Sequence, residues 1–571
     1  MTAKFVVVGL DGATFTLLEP WIDAGALPHL KDIMDNGVTG TLTSSIPPMT
    51  SPAFPCFITG KNPGKHGVVW FLGKRRGTYE EISLDSTSID SKFFWEILSE
   101  DGRKVAVLNV PATYPIQPVN GVMISGFLTP PGKRDFVHPP GLLDELEERF
   151  GPYEVDLKTP AFLLANQTPA VIEQILHEAR ESLDYKFSVA HYIMEKDEYD
   201  LFVLHIVETD RLQHWLWNLL DASHPHYEKR LAEQYSRQIL EYYRALDSSI
   251  GALAEKTGPA TTLIIMSDHG FGPCHGSIDL NAWLLQEGYL KIKDRPISQL
   301  KFFFWKAGWN LAIVGGLATR LLKLKSMQRL LVRVRGRKDQ GTSRLKIKHA
   351  LAPVFLSMSD IDWSRSRAYC LSGYGQIRFN LDGREPQGIV KPGEEYETLR
   401  DEIIGKLRGL THPKTGNKVN ALVFAKEDIY SGKYADELPD ITFLPEESNY
   451  NPGTPITFIS PRVFSDDIPV KGFHRMEGIL IVSGPNIRKG VSIRGAHIMD
   501  LAPTILYMAG SKVPSDMDGT VLTEIFSESF LRSHAVSFSD EVITEGREGQ
   551  AVSPEDHEAV VERLKSLGYI D

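Results

Sequence analysis

Cysteine is scarce. Cys56, Cys274 and Cys370 are the three in 571 residues. They form no CxxC pair and no even framework, which argues against a disulfide scaffold and points to a reducing compartment. No basic-then-apolar leader opens the chain, because the run at 5–10 is short and meets Asp11 at once. The expected location is therefore the cytoplasm. The apolar stretch at 301–322 carries Lys306 and Asn310 and falls short of the roughly 20 clean residues of a membrane span. Positive charge is also short, with a formal net charge of -11. That disfavours binding to a nucleic-acid duplex. It leaves room for a phosphate-bearing substrate, since bound divalent ions would invert the local field. No internal repeat and no low-complexity tract is found.

What is present is ordinary globular material, 42% hydrophobic and 24% charged, in a chain too long for one core. The start, FVVVGL at 5–10, is a β-branched run broken by Asp11-Gly12, the signature of a buried strand. Similar runs occur at 104–110, 200–207, 261–266 and 478–483. Helical stretches at 169–195 and 227–257 lie between them. Strands alternating with helices imply an α/β fold, a doubly wound, mostly parallel sheet flanked by helices. Residues 439–443 read as the return to that sheet after an interruption.

Several of these runs end in chemistry-bearing residues. The motifs are Gly9-Leu10-Asp11-Gly12, Pro48-Met49-Thr50-Ser51-Pro52, Glu208-Thr209-Asp210 with His214, and Ser267-Asp268-His269-Gly270; Gly472-Phe473-His474 precedes a strand. The C-terminal ends of parallel strands are where open α/β sheets place ligands. Asp, His and one hydroxyl make a donor set for a hard or borderline divalent ion such as zinc or manganese, without the thiolates of structural zinc. Singly, each motif is weak: a lone Asp after a strand is more often an Asx turn or helix cap. Asp210 and His214 share a face only if they lie on a helix. Asp268 and His269 are adjacent, so both reach one ion only from an irregular strand end. His205 reads as a core residue, His66 as structural, and His275 as a loop residue.

Taken together the motifs resemble the type I phosphodiesterase/nucleotide pyrophosphatase branch of the alkaline phosphatase superfamily, over about 4–290 and 440–510. The most specific stretch is Pro48-Met49-Thr50-Ser51-Pro52 followed by Thr59-Gly60, Pro63 and His66-Gly67, similar to the family's nucleophile and TG-x-x-P-x-x-HG signature. The resemblance implies that Asp11, Thr50, Asp268 and His269 hold one metal and Asp210, His214 and His474 the other. It implies Thr50 as catalytic nucleophile, passing through a phospho-threonine. Zinc is the first expectation for both ions, with manganese or magnesium as alternatives. The implied substrate is a small phosphate ester of nucleotide type, with diesterase and monoesterase both open. Arg75 and Arg76 are candidate cations for the extra monoester charge. A sulfatase would need Cys or Ser and an Arg in C/S-x-P-x-R, and Thr50-Ser51-Pro52-Ala53-Phe54 has no such Arg. A phosphoglycerate mutase would use Ser, and a non-catalytic scaffold would have lost ligands.

From about 290 to 350 the rhythm breaks, before strands at 369–379 and a helix at 395–410. The stretch at 301–322 is aromatic and 320–348 is strongly basic, with Asp339 its one acid. The expected organisation is a catalytic core at 1–290, an inserted cap at 291–437, the rest of the core at 438–530, and a tail with a helix at 531–571. The insertion reads either as a cap or basic solvated face, or as a peripheral membrane or partner site through 300–348. A phosphomonoesterase or phosphotransferase, or a membrane-surface or partner-binding protein, are the alternatives to the diesterase. The sequence leaves the oligomeric state open.

Overall fold

A computed structural model describes residues 4–159, 167–308, 355–453, 458, 460–466, 468–540, 553–567 and 569. Its centre is a nine-stranded sheet. The strands are β1 (Phe5–Leu10), β2 (Gly37–Thr43), β3 (Val105–Val110), β4 (Gly121–Ser125), β5 (Val137–His138), β6 (Leu201–Ile206), β7 (Thr262–Met266), β8 (Glu477–Ser483) and β9 (Val491–His497). They are ordered β9-β2-β8-β7-β1-β6-β3-β4-β5. β7, β1, β6, β3 and β4 run parallel to their neighbours within this block. β8 lies between β2 and β7 and is antiparallel to both. The sheet is thus mixed but mostly parallel, as expected.

Both faces are covered, and this explains the unbroken apolar runs. Successive side chains on a strand point to opposite faces. Val6 and Val8 enter one core cluster and Val7 the other. Phe202 and Leu204 divide in the same way from Leu201 and Val203. One face is roofed by α2 (Pro169–Lys196), α3 (Glu208–Leu220) and α4 (Lys229–Thr257), through residues such as Leu183, Leu212 and Ile239. The other is roofed by α1 (Thr50–Thr59) and α5 (Leu501–Met508), through Phe54, Phe57 and Ile505.

A third core, with Trp283, Ile377, Leu399 and Phe443 at its centre, belongs to the smaller sheets. A four-stranded sheet there runs Ala368–Tyr369, Gln376–Phe379, Ile441–Leu444, Leu422–Ala425. This corrects the reading of 439–443 as the return to the main sheet. Ile441–Leu444 pairs with Gln376–Phe379 and Leu422–Ala425, and the main sheet resumes only at β8. A short buried run reports burial, not which sheet buries it.

The basic stretch at 320–348 and the rest of 309–354 lie outside the described residues. The helix before it, Pro296–Lys306, exposes Ile297, Leu300, Phe303 and Phe304. Among the described residues no helix is long and apolar enough to cross a membrane. The C-terminal helix α6 (Pro554–Leu567) packs against the strand Glu81–Ser83.

Ile481, fully buried in β8, pins this strand between its two antiparallel neighbours. Ile481→Ala should destabilise the fold by about 2–5 kcal/mol, the range for a large aliphatic truncated in a core. Urea unfolding followed by circular dichroism measures it, and a shift below about 1 kcal/mol would mean that β8 is loosely held.

Candidate two-ion site

β7, β1 and β6 are adjacent and parallel, so their C-terminal ends lie side by side. Asp11 follows β1, Asp268 and His269 follow β7, and α3, carrying Asp210 and His214, follows β6. Three remote stretches of chain meet at one sheet edge for this reason alone. Asp210 and His214 are one helical turn apart and share a face, as i and i+4 must. His474 arrives on the strand Gly472–Arg475, which pairs antiparallel with Gly270–Pro273 so that His474 faces Phe271.

The six side chains form two clusters, Asp210-His214-His474 and Asp11-Asp268-His269, each with its donor atoms within 4.8 Å of one another. All six are buried. The clusters adjoin: the His269 and His474 rings stack with centroids 3.7 Å apart.

In the first cluster His474 Nε2 lies 3.1 Å from Asp210 Oδ1 and 2.9 Å from His214 Nε2. The other nitrogens are engaged by backbone carbonyls: His214 Nδ1 is 3.0 Å from Gly472 O, and His474 Nδ1 is 3.1 Å from Pro48 O. An Nδ1–H donated to a carbonyl leaves Nε2 as a lone pair, the tautomer a metal ligand needs. Burial, followed by the neighbouring His269, holds His474 well below the usual imidazole range. Burial works against ionised Asp210, but its close contacts with His214 and His474 and the Arg211 guanidinium outweigh it, and its carboxyl is held well below the ordinary value.

In the second cluster the Thr50 hydroxyl, in the first turn of α1, lies 3.3 Å from His269 Nε2. His269 Nε2 is 3.3 Å from Asp268 Oδ2 and 3.5 Å from Asp11 Oδ1. Of the outer oxygens, Asp268 Oδ1 accepts the Gly12 N–H at 3.1 Å, while Asp11 Oδ2 lies 3.2 Å from His205 Nε2 without a hydrogen bond from it. The inner ones, Asp11 Oδ1 and Asp268 Oδ2, are buried and accept no hydrogen bond among the described residues. A buried carboxylate oxygen without a partner is costly. Burial, then the Asp268 and Asp210 charges, pushes Asp11 well above the usual carboxylate range, and burial pushes Asp268 the same way. Two oxygens and an imidazole nitrogen converging in this state fit a divalent cation.

Of the other histidines, His66 is buried beside Cys56 Sγ at 3.4 Å, and its Nδ1 accepts the Val68 N–H at 3.2 Å. Burial lowers it to about 3, and it belongs to neither cluster. His275 packs against His224, with ring centroids 5.2 Å apart. His205 is a core residue as read, but it also buttresses Asp11. Arg75 and Arg76 sit at the surface, paired with Glu80 and Glu437. The residues that sequence reasoning missed are Arg211, Asp156 and Tyr569. Arg211 donates to Asp210 Oδ2 at 2.7 Å and is gripped by both oxygens of Asp156. Its position beside Asp210 was a usable signal; Asp156 and Tyr569 had none.

Comparison with known proteins follows the same lines. The family model described as "Type I phosphodiesterase / nucleotide pyrophosphatase" matches residues 5–454. Phosphonoacetate hydrolase from Sinorhizobium meliloti is similar in structure at 14% identity, over 89% of this chain and 96% of that one, with a TM-score of 0.50. Human ectonucleotide pyrophosphatase/phosphodiesterase 5 is 14% identical over 92% of this chain and 100% of that one, with a TM-score of 0.47. Likeness at such identity speaks to the fold alone. No curated protein matches the chain.

Asp11 yields a test with a definite sign. Its folded-state carboxyl titrates above the unfolded value, so the ion-free fold binds this proton more tightly than the unfolded chain. That contribution is full below the unfolded value and is lost as pH rises through the folded one. In chelator, the melting temperature should therefore fall as pH is raised beyond the ordinary carboxylate range, and Asp11→Asn should make the decline shallower. Parallel profiles for the two proteins would remove the case for a strained carboxylate.

Proposed function

The chain belongs to the type I phosphodiesterase/nucleotide pyrophosphatase family, and from that premise we propose that it hydrolyses phosphate diesters through transfer of the phosphoryl group to Thr50. One observation carries this reading: the Thr50 hydroxyl lies 3.3 Å from His269 Nε2, the nitrogen that faces the carboxylates of Asp11 and Asp268.

Asp11, Asp268, His269 and Thr50 would hold one divalent ion, and Asp210, His214 and His474 the other, zinc being our first choice from the mixed nitrogen and oxygen donors. Such ions would lower the pKa of the Thr50 hydroxyl and neutralise phosphoryl charge. The rest follows from the chain itself. Thr50 Oγ attacks phosphorus in line with the leaving oxygen; the O–P bond forms as the ester bond to that oxygen breaks, and the alcohol departs. Thr50 stands in the first turn of α1, where free backbone N–H groups favour the transferred phosphate. Water then cleaves phospho-Thr50 and regenerates the hydroxyl.

Preference for a diester over a monoester rests on charge. A monoester brings a second negative charge and calls for a free cation. Arg211, the guanidinium beside the first cluster, is already committed to Asp156 and Asp210. Arg75 and Arg76 are held at the surface by acids.

Thr50→Ala should cut kcat/KM for bis-p-nitrophenyl phosphate by roughly 10⁴-fold or more, the scale on which loss of an activated nucleophile acts, while bound metal stays largely in place. Activity equal to the wild type would refute the role of Thr50. Faster turnover of p-nitrophenyl phosphate than of the diester would overturn the preference.

A further inference from the structure

The last helix brings one side chain to the site. Tyr569, two residues beyond the end of α6, places its hydroxyl 3.2 Å from Asp210 Oδ2. The same hydroxyl accepts a hydrogen bond from Arg211 Nη1 at 2.5 Å. Arg211 Nη1 also donates directly to Asp210 Oδ2. The two oxygens of Asp210 are thereby separated by function: Oδ1 faces His214 and His474, while Oδ2 is held from behind by a guanidinium and a phenol.

That division matters because the terminal torsion of an aspartate is soft, with broad and roughly two-fold wells. A carboxylate free to rotate presents either oxygen, or both, to an ion. Two donors fixed on Oδ2 leave Oδ1 aimed at the imidazoles. We propose that Tyr569 is a positioning residue for the Asp210-His214-His474 site, and that the C-terminal helix exists in part to deliver it.

The delivery is built, not incidental. α6 is tied to three separate segments: Asp556 pairs with Lys133 at 2.7 Å, His557 Nδ1 accepts the Ser83 N–H at 2.8 Å, and Arg563 donates to the Leu157 carbonyl. Arg563 also lies 3.5 Å from Asp156 Oδ2, the oxygen that holds Arg211. One carboxylate therefore fixes both the helix and the guanidinium. Val560 and Leu564 are buried in a cluster with Phe71, Phe127, Met49 and Phe473, the last two being sequence neighbours of Thr50 and His474. The Tyr569 ring packs on Phe71 at 4.8 Å and on Phe127 at 5.9 Å, which orients the hydroxyl before any ion arrives.

This inference rests on reading Asp210, His214 and His474 as an ion site, and the experiment separates the two. Chelator-stripped full-length protein is titrated with Zn²⁺ by calorimetry. The wild type should take up two ions. Tyr569→Phe, which keeps the ring and removes the hydroxyl, should weaken one ion by about 10-fold or more, the usual cost of losing a group that orients a ligand, and leave the other unchanged. A chain ended after Leu567 should show the same selective loss. Two unchanged affinities, or two weakened equally, would overturn the proposal while leaving the ion site standing. So would turnover that rises in the shortened chain, because Tyr569 would then be an obstruction. A wild type that binds no Zn²⁺ would instead remove the ion-site reading, and this proposal with it.

Discussion

Three carboxylates sit buried at one sheet edge, and their mutual repulsion is the constraint around which the molecule is arranged. Asp11, Asp210 and Asp268 gather there because β1, β6 and β7 are neighbours with a common direction. Like charges in a low-dielectric interior cost several kcal/mol each unless compensated. The chain compensates them unevenly. Asp210 has two imidazoles, a guanidinium and a phenol around it. Asp268 has one oxygen satisfied by the Gly12 N–H and one bare, and Asp11 has a bare inner oxygen and only the neutral His205 ring beside its outer one. The imbalance makes the site receptive: the inner oxygens of Asp11 and Asp268 are left bare, as a cation would require.

The same edge explains why the surrounding structure is so firmly built. Gly12 takes a positive φ directly after Asp11, and a Cβ there would lie 2.8 Å from the Phe271 ring and 3.2 Å from His269. The Gly472–Arg475 strand carries His474 in and offers the Gly472 carbonyl to His214. The His205 ring backs Asp11. Each ligand thus has a partner behind it, which is how a site keeps its geometry while its ions are absent.

Much of this was legible in the sequence. The doubly covered strands announced themselves as β-branched runs, because burial on both faces erases alternation. Asp11, Asp268 and His269 could be placed because a strand end fixes where the next residues must go, and Asp210 with His214 because helical spacing is rigid. What was not legible depends on pairing at a distance. Ile441 and Phe443 look like core-sheet residues but pack in the smaller sheets, since hydrophobicity carries no address. His205 was readable as buried, but not as a neighbour of Asp11, because the register of β1 on β6 is a tertiary fact. Asp156 and Tyr569 approach Arg211 and Asp210 from segments that no local pattern links to them.

The position of β8 bears on how the protein is made. It fills the gap between β2 and β7, antiparallel to each, yet about two hundred residues of chain separate it from β7. At the usual pace of synthesis the ribosome needs on the order of ten to forty seconds to reach it. For that time β7 has one edge without a partner and β2, whose neighbours β8 and β9 are both still to come, has two, the kind of edge that invites pairing with another molecule. The sheet closes from the middle, and late. Protection of these edges during translation, by the folding of the intervening segment or by a chaperone, is therefore a requirement of the topology itself.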